Sequence, residues 1–203
     1  MPVKKFFRLK NNLFFLSIIS LALIGCKESL PEIDDLNKIE YNLIDQEGSR
    51  VYFPKEFKGK IIVAGYIFTN CPDICPLTTN NMRLVQESLS KEESTKVEFI
   101  SISFDPLIDT PEILTKFAEI RDLDLTNWTF LTGNKNTIDS LMKDLGILAI
   151  AGDSTITPSG EKINYYVHTD RISLIDSELK VRKNYIGSKA ESEEIVRDIN
   201  SLK

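Results

Sequence analysis

An α/β sandwich is the fold class this 203-residue sequence predicts, and three observations predict it. Ile61–Phe68 and Val97–Phe104 are nearly unbroken apolar runs, as expected of strands covered on both faces of a sheet. Each run is followed by a segment with apolar residues at helical spacing. Beyond these, alternating strand-like segments lead into a closing amphipathic stretch.

Taken in chain order, Ile39–Ile44 and Arg50–Phe53 flank Asp45-Gln46-Glu47-Gly48 and read as a hairpin. Ile61–Phe68 delivers the chain to Cys71. Pro76–Leu89 then carries Leu77, Leu84, Val85 and Leu89 at helical spacing, with Pro76 in the first turn, where a missing N–H is harmless. After the strand Val97–Phe104, Thr110-Pro111 reads as an N-cap and first helical residue, with Ile113, Leu114 and Phe117 inward. Trp128–Leu131 is a short strand. Ile138, Leu141, Met142 and Leu145 mark a helix stopped by Gly146. Asp153–Glu161 is rich in turn residues and is expected to be a loop or hairpin tip. Lys162–His168, Ile172–Ile175 and Leu179–Tyr185 are strands, and Ser188 with Glu191 has capping-box spacing before a helix bearing Ile195, Ile199 and Leu202. Strand, helix, strand, helix, a strand pair and a closing helix is the order of a thioredoxin-like fold, here with an extra N-terminal β-hairpin; periodicity by itself supports only the sandwich.

The first residues carry export information. Lys4, Lys5, Arg8 and Lys10 precede an apolar run, Leu13 to Ile24, that is short for a bilayer span. It ends in Leu23-Ile24-Gly25-Cys26, which resembles the bacterial lipobox, where cleavage before the cysteine leaves a thiol to be capped by diacylglycerol. The expected organisation is therefore a lipoprotein signal peptide over 1–25, a flexible tether over 26–38 after lipidated Cys26, and one domain over 39–203 on the outer side of a bacterial membrane. Removing the signal peptide takes four positive charges and no acid from a chain of net charge −5, leaving an acidic body and arguing against a nucleic-acid partner.

Of the three cysteines, the lipid would consume Cys26, leaving Cys71 and Cys75. A bond closing so small a ring stabilises little, so the pair reads as chemical rather than as a staple. Thr69-Asn70-Cys71-Pro72-Asp73-Ile74-Cys75-Pro76 joins a buried strand to a helix start, where N–H groups and the helix dipole favour thiolate at both sulfurs. The spacing suits a metal chelate and equally permits a disulfide. Two thiolates select Cu(I), Zn(II) or iron–sulfur chemistry. Structural zinc wants four protein ligands, and the mature chain offers two cysteines and His168; an iron–sulfur cluster is short by the same count. Copper is satisfied by two thiolates, with or without the imidazole of His168, which ends an apolar strand and is expected at a sheet edge or loop mouth. At this level the metal and the redox readings stand level.

A resemblance separates them. "FTNCPDICP", Phe68 to Pro76, resembles the copper-site motif of the SCO/SenC proteins, copper chaperones for cytochrome c oxidase; "SFDPLIDTPEIL", with Asp105, Pro106, Asp109, Thr110 and Pro111, resembles the family's D-P-x-x-D-T-P signature. "WTFLTG" from Trp128 and "GKIIVAGYIF" before the cysteines are similar to further segments, so the likeness spans Ile39 to Leu202. It implies one copper ion, Cu(I) or Cu(II), held by Cys71, Cys75 and His168, and passed by ligand exchange to the copper-receiving subunit of a haem-copper oxidase. No general acid or base is needed and no catalytic residue is assigned. Many family members place an aspartate before the histidine, where this chain has Val167. Asp73 reads as a turn residue or as negative charge near a cation; Asp105, Asp109 and Thr110 as organisers of the loop and the next helix; Phe68, Tyr165 and Tyr166 as packing. The competing function is a thiol–disulfide oxidoreductase using Cys71 and Cys75 on exported cysteines. Against it stand three intervening residues where redox motifs typically have two, and a histidine such chemistry does not require.

Overall fold

The computed structural model describes residues 30–156 and 162–203. An eight-stranded mixed sheet has the order β1-β10-β9-β4-β5-β6-β2-β3. Its members are β1 (Asp34–Asp35), β2 (Tyr41–Asp45), β3 (Arg50–Phe53), β4 (Ile61–Ile67), β5 (Val97–Ser103), β6 (Trp128–Thr132), β9 (Ile172–Ile175) and β10 (Lys180–Tyr185). β7 (Ala149–Ile156) and β8 (Lys162–His168) form a separate antiparallel ribbon. The helices are α1 (Ile74–Ser88), α2 (Lys91–Ser94), α3 (Pro111–Ile120), α4 (Lys135–Asp144) and α5 (Ser192–Ser201).

The two apolar runs become the parallel pair β4–β5 at the centre, with β6 parallel beside β5 and β9 antiparallel to β4. Every residue of β4 is buried, and each fully buried Ile or Val stabilises the fold by about 1.5–3 kcal/mol over its exposed state. α1 packs on β4, on α5 and on a 3-10 turn at Gly187–Lys189. The approach is close: a Cβ on Gly65 of β4 would lie 2.6 Å from the Met82 sulfur of α1. β2 and β3 pair as a hairpin, and β2 also pairs with β6.

Five expectations need correction. α1 begins at Ile74, and its inward stripe is Cys75, Thr78, Thr79, Met82, Val85 and Gln86, while Leu77 and Leu84 are 49% and 38% exposed. Apolar spacing does not reveal this face because two of its polar members are paired internally: the Thr78 hydroxyl donates to Asp170, and the Gln86 amide donates to the Asp124 carbonyl and to Asn127 Oδ1, both at 2.8 Å. In α3, Ile113 faces outward, leaving Leu114, Phe117 and Ala118 buried. Asp153–Ile156 is strand, the end of β7, not loop; 157–161 lies outside the described residues. The capping box at Ser188 and Glu191 does not form, because Ser188 is drawn onto Asp170 and Glu191 occupies the N-cap without a side-chain bond. Finally, order does not wait for Ile39. Leu30 packs against the core, the Ile33 N–H donates to the Val181 carbonyl at 2.8 Å, β1 pairs with β10, and Leu36 is buried.

Candidate metal centre

β4 aims the chain at the site and a buried carboxylate bends it there. Asp109, fully enclosed, accepts from the Thr69 N–H at 3.1 Å, from the Thr69 hydroxyl at 2.5 Å and from the Ser103 hydroxyl at 2.5 Å. It thus ties the turn after β4 to the end of β5, fixing the start of the Cys71 loop. Burial outweighs these donors and pushes the Asp109 carboxyl up to about 6. Thr110 occupies the α3 N-cap with no side-chain cap bond, and Asp73 does the same for α1.

The Cys71 N–H donates to the Phe68 carbonyl at 3.3 Å, which closes the turn. Cys75 lies in the first turn of α1, and its N–H donates to Cys71 Sγ at 3.4 Å. Both cysteines are buried and free of a disulfide. The Cys75 thiol, the His168 ring and the N–H groups of Cys75 and Asp73 all favour charge on Cys71 and hold its thiol down at about 4, against the opposing effect of burial. Cys75 moves the other way, well above the ordinary thiol range, because it shares its proton with Cys71 and is deeply desolvated. The expectation that both sulfurs are primed is therefore corrected: one thiolate is favoured, and its charge and the low dielectric keep the neighbouring thiol protonated.

His168 arrives from the other side. It ends β8 opposite Ala149, on the ribbon face shared with Tyr166. Its ring lies 5.8 Å from that of Phe68 and 5.2 Å from that of Phe104, and Tyr166 packs on the same two phenylalanines at 5.0 and 5.3 Å. His168 Nδ1 is 3.2 Å from the Thr169 carbonyl oxygen. A carbonyl only accepts, so this contact calls for a proton on Nδ1, which leaves Nε2 as the nitrogen to ligate a cation once it is deprotonated. The contact with Cys71 raises the imidazole pKa. Val167 is 64% exposed, opposite Ile150 on the outer face of the ribbon. A carboxylate there would face solvent, and the backbone already supplies the partner of Nδ1.

Cys71, Cys75 and His168 form the one group among the described residues whose donor atoms converge as metal ligands do, all within 4.8 Å of one another. Two thiols and an imidazole form a soft, three-point donor set, which fits copper and leaves structural zinc short of a ligand. Asp105 and Asp73 are not among the converging donors. Tyr165 is exposed and outside the cluster, and Cys26 lies outside the described residues.

Asp170 is the residue that sequence reasoning passed over. Two positions beyond His168, it accepts from the Ser188 N–H at 2.9 Å, from the Ser188 hydroxyl at 2.6 Å and from the Thr78 hydroxyl at 3.1 Å. It therefore joins the histidine segment to α1, the helix of Cys75. Gly187 permits this: a Cβ there would lie 2.6 Å from Asp170 Oδ1 and 2.7 Å from Thr78 Oγ1. A glycine beside a serine and an aspartate two residues after the lone histidine were visible in the chain, but nothing local connects positions so far apart.

Comparison with known proteins places the chain among relatives. The family profile described as SCO1/SenC matches residues 32–203. Among solved structures, a SCO1/SenC family lipoprotein from Bacillus anthracis is 35% identical, covering 81% of this chain and 93% of its own, with a TM-score of 0.66. ScoI of Bradyrhizobium japonicum with copper bound is 26% identical over 81% of this chain and 98% of its own, TM-score 0.69. BsSco, described as a member of the Sco family of cytochrome c oxidase assembly proteins, is 28% identical over 86% of this chain and 98% of its own, TM-score 0.67. These likenesses identify the α/β sandwich as thioredoxin-like, as in Sco structures. The chain belongs to the SCO1/SenC family.

Proposed function

We propose that this protein binds one copper ion between Cys71 Sγ, Cys75 Sγ and His168 Nε2 and hands it to the copper-receiving subunit of a haem-copper oxidase during assembly. The observation that carries this reading is the convergence of the three donors within 4.8 Å from two separate parts of the chain, the loop that enters α1 with its first turn and the end of β8. Disulfide chemistry needs the cysteines alone; an imidazole in contact with Cys71, with a ring nitrogen within 4.8 Å of both sulfurs and Nδ1 beside a backbone carbonyl, is what a metal needs. The copper-bound relative and the oxidase-assembly relative support the cargo and the destination. Cys26 carries a diacylglycerol and holds the domain on the outer side of the membrane. This part rests on the sequence before residue 30 and on the B. anthracis lipoprotein relative.

Release proceeds by stepwise exchange, in which thiolates of the acceptor displace Cys71 and Cys75 in turn. The Cys71 and Cys75 pair also supports a second reading, thiol–disulfide exchange, since Cys71 held at about 4 is a thiolate at neutral pH. An assay with the reduced, copper-loaded protein and the copper-free acceptor domain of an oxidase separates the two. Appearance of copper on the acceptor, with Cys71 and Cys75 still reduced, is expected. Reduction of an acceptor disulfide with no copper moved would replace the chaperone reading by the redox one.

A further inference from the structure

We infer that the end of the sheet bearing Cys71, Cys75 and His168 is the end that faces the bilayer. This rests on the reading of Cys26 as the lipid anchor. The expected tether is mostly not a tether. Leu30 packs on the core, and Glu32 and Asp35 pair with Lys180 at 3.5 and 2.7 Å. Only Lys27, Glu28 and Ser29 therefore separate Cys26 from the docked chain, and four Cα steps reach about 14 Å when fully extended.

The direction in which the docked segment runs then fixes which end lies near the lipid. In β1, Asp34 is opposite Val181 and Asp35 opposite Lys180, so the chain upstream of Asp34 heads toward the Tyr185 end of β10. Tyr185 is opposite Ile172, and Ile172 opposite Gly65, near the end of β4 that leads to Cys71. Ile33 lines one small cavity with Tyr66 and with Arg171, the third residue after His168. The opposite end holds Lys58, Ser177 and Glu178, joined by the Gly59 N–H to the Ser177 carbonyl and by the Lys58–Glu178 ion pair. To place that end on the membrane, the anchor would have to cross the length of β4, about 20 Å at 3.3 Å per residue, besides the flanking loops. The segment before Leu30 is too short for that. The acceptor that fits is a membrane-embedded protein whose copper site opens close to the bilayer surface, and the short tether keeps this domain within reach of it.

The test uses the full-length lipidated protein bound to vesicles of phosphatidylethanolamine and phosphatidylglycerol containing an acceptor-labelled headgroup lipid. A donor dye is attached through azidophenylalanine, introduced either as Ile186→azidophenylalanine, an exposed position at the site end, or as Lys58→azidophenylalanine at the other end. Energy transfer to lipid is expected to be severalfold stronger from position 186, and a flexible insert of about 20 Gly and Ser residues after Ser29 is expected to erase the difference. Vesicle-bound protein with equal or stronger transfer from position 58 overturns the orientation while leaving the anchor standing, and a bias toward position 186 that survives the insert overturns the short tether as its cause. Protein absent from the vesicle pellet overturns the anchor, and the orientation with it.

Discussion

Replacing Asp170 by alanine tests whether the site is held together by the junction between its two halves. The substitution removes acceptors 2.9 Å from the Ser188 N–H, 2.6 Å from the Ser188 hydroxyl and 3.1 Å from the Thr78 hydroxyl, and Thr78 is buried. A buried donor left unpaired costs about 1–3 kcal/mol, and charge-assisted bonds sit at the upper end, so a loss of about 2–4 kcal/mol in unfolding free energy is expected. For a domain of this size each kcal/mol lowers Tm by about 2–4 °C, which gives a drop of roughly 5–15 °C in the metal-free protein. Because His168 lies two residues away, copper affinity is expected to fall as well, and Asp170→Asn, which keeps one acceptor oxygen, should recover part of both. Calorimetric unfolding and competitive copper titration of the three proteins provide the readout. An alanine variant within about 0.5 kcal/mol of the wild type in stability would refute the reasoning, since substitutions away from buried networks commonly fall in that range.

Gly187→Ala forces a Cβ to within 2.6 Å of Asp170 Oδ1 and is expected to destabilise by about 1–3 kcal/mol, read by denaturant unfolding, with the loss reduced when Asp170→Ala is already present. Asp109 binds its proton more tightly in the fold, at about 6, than the 3.8 of an unperturbed carboxyl. Its contribution is therefore full below about pH 4 and is lost as pH rises through 6, so wild-type stability should fall across that window relative to Asp109→Asn, by roughly 1–3 kcal/mol. Val167→Asp places a carboxylate on a face turned to solvent; copper affinity within twofold of wild type is expected by titration, and a large change would show that the outer ribbon face acts on the metal.

The central sheet was legible because burial on both faces writes itself into the chain as unbroken apolar runs, and β4 and β5 fall where Ile61–Phe68 and Val97–Phe104 place them. The cysteines were legible from local spacing at a strand-to-helix junction. The inward face of α1 was not, because Thr78 and Gln86 look solvent-exposed until their partners are brought in from Asp170, Asp124 and Asn127. The unequal proton affinity of the two thiols was hidden for the same reason: helix-end arguments treat the sulfurs alike, and only the contact between them and the position of His168 breaks the symmetry. β1 escaped notice because two aspartates have no strand propensity of their own; pairing with β10 and the Asp35–Lys180 ion pair hold them at the edge of the sheet.

The most direct test of the account is an anaerobic copper titration of the reduced protein from Lys27 onward, followed by metal analysis after desalting and thiolate-to-copper absorption, with Cys71→Ser, Cys75→Ser and His168→Ala alongside. One equivalent retained by the wild type is expected, lost in either cysteine variant and markedly weakened without the imidazole. A reduced wild type that retains no copper, or a His168→Ala variant that binds it as tightly as the wild type, would contradict the three-ligand site.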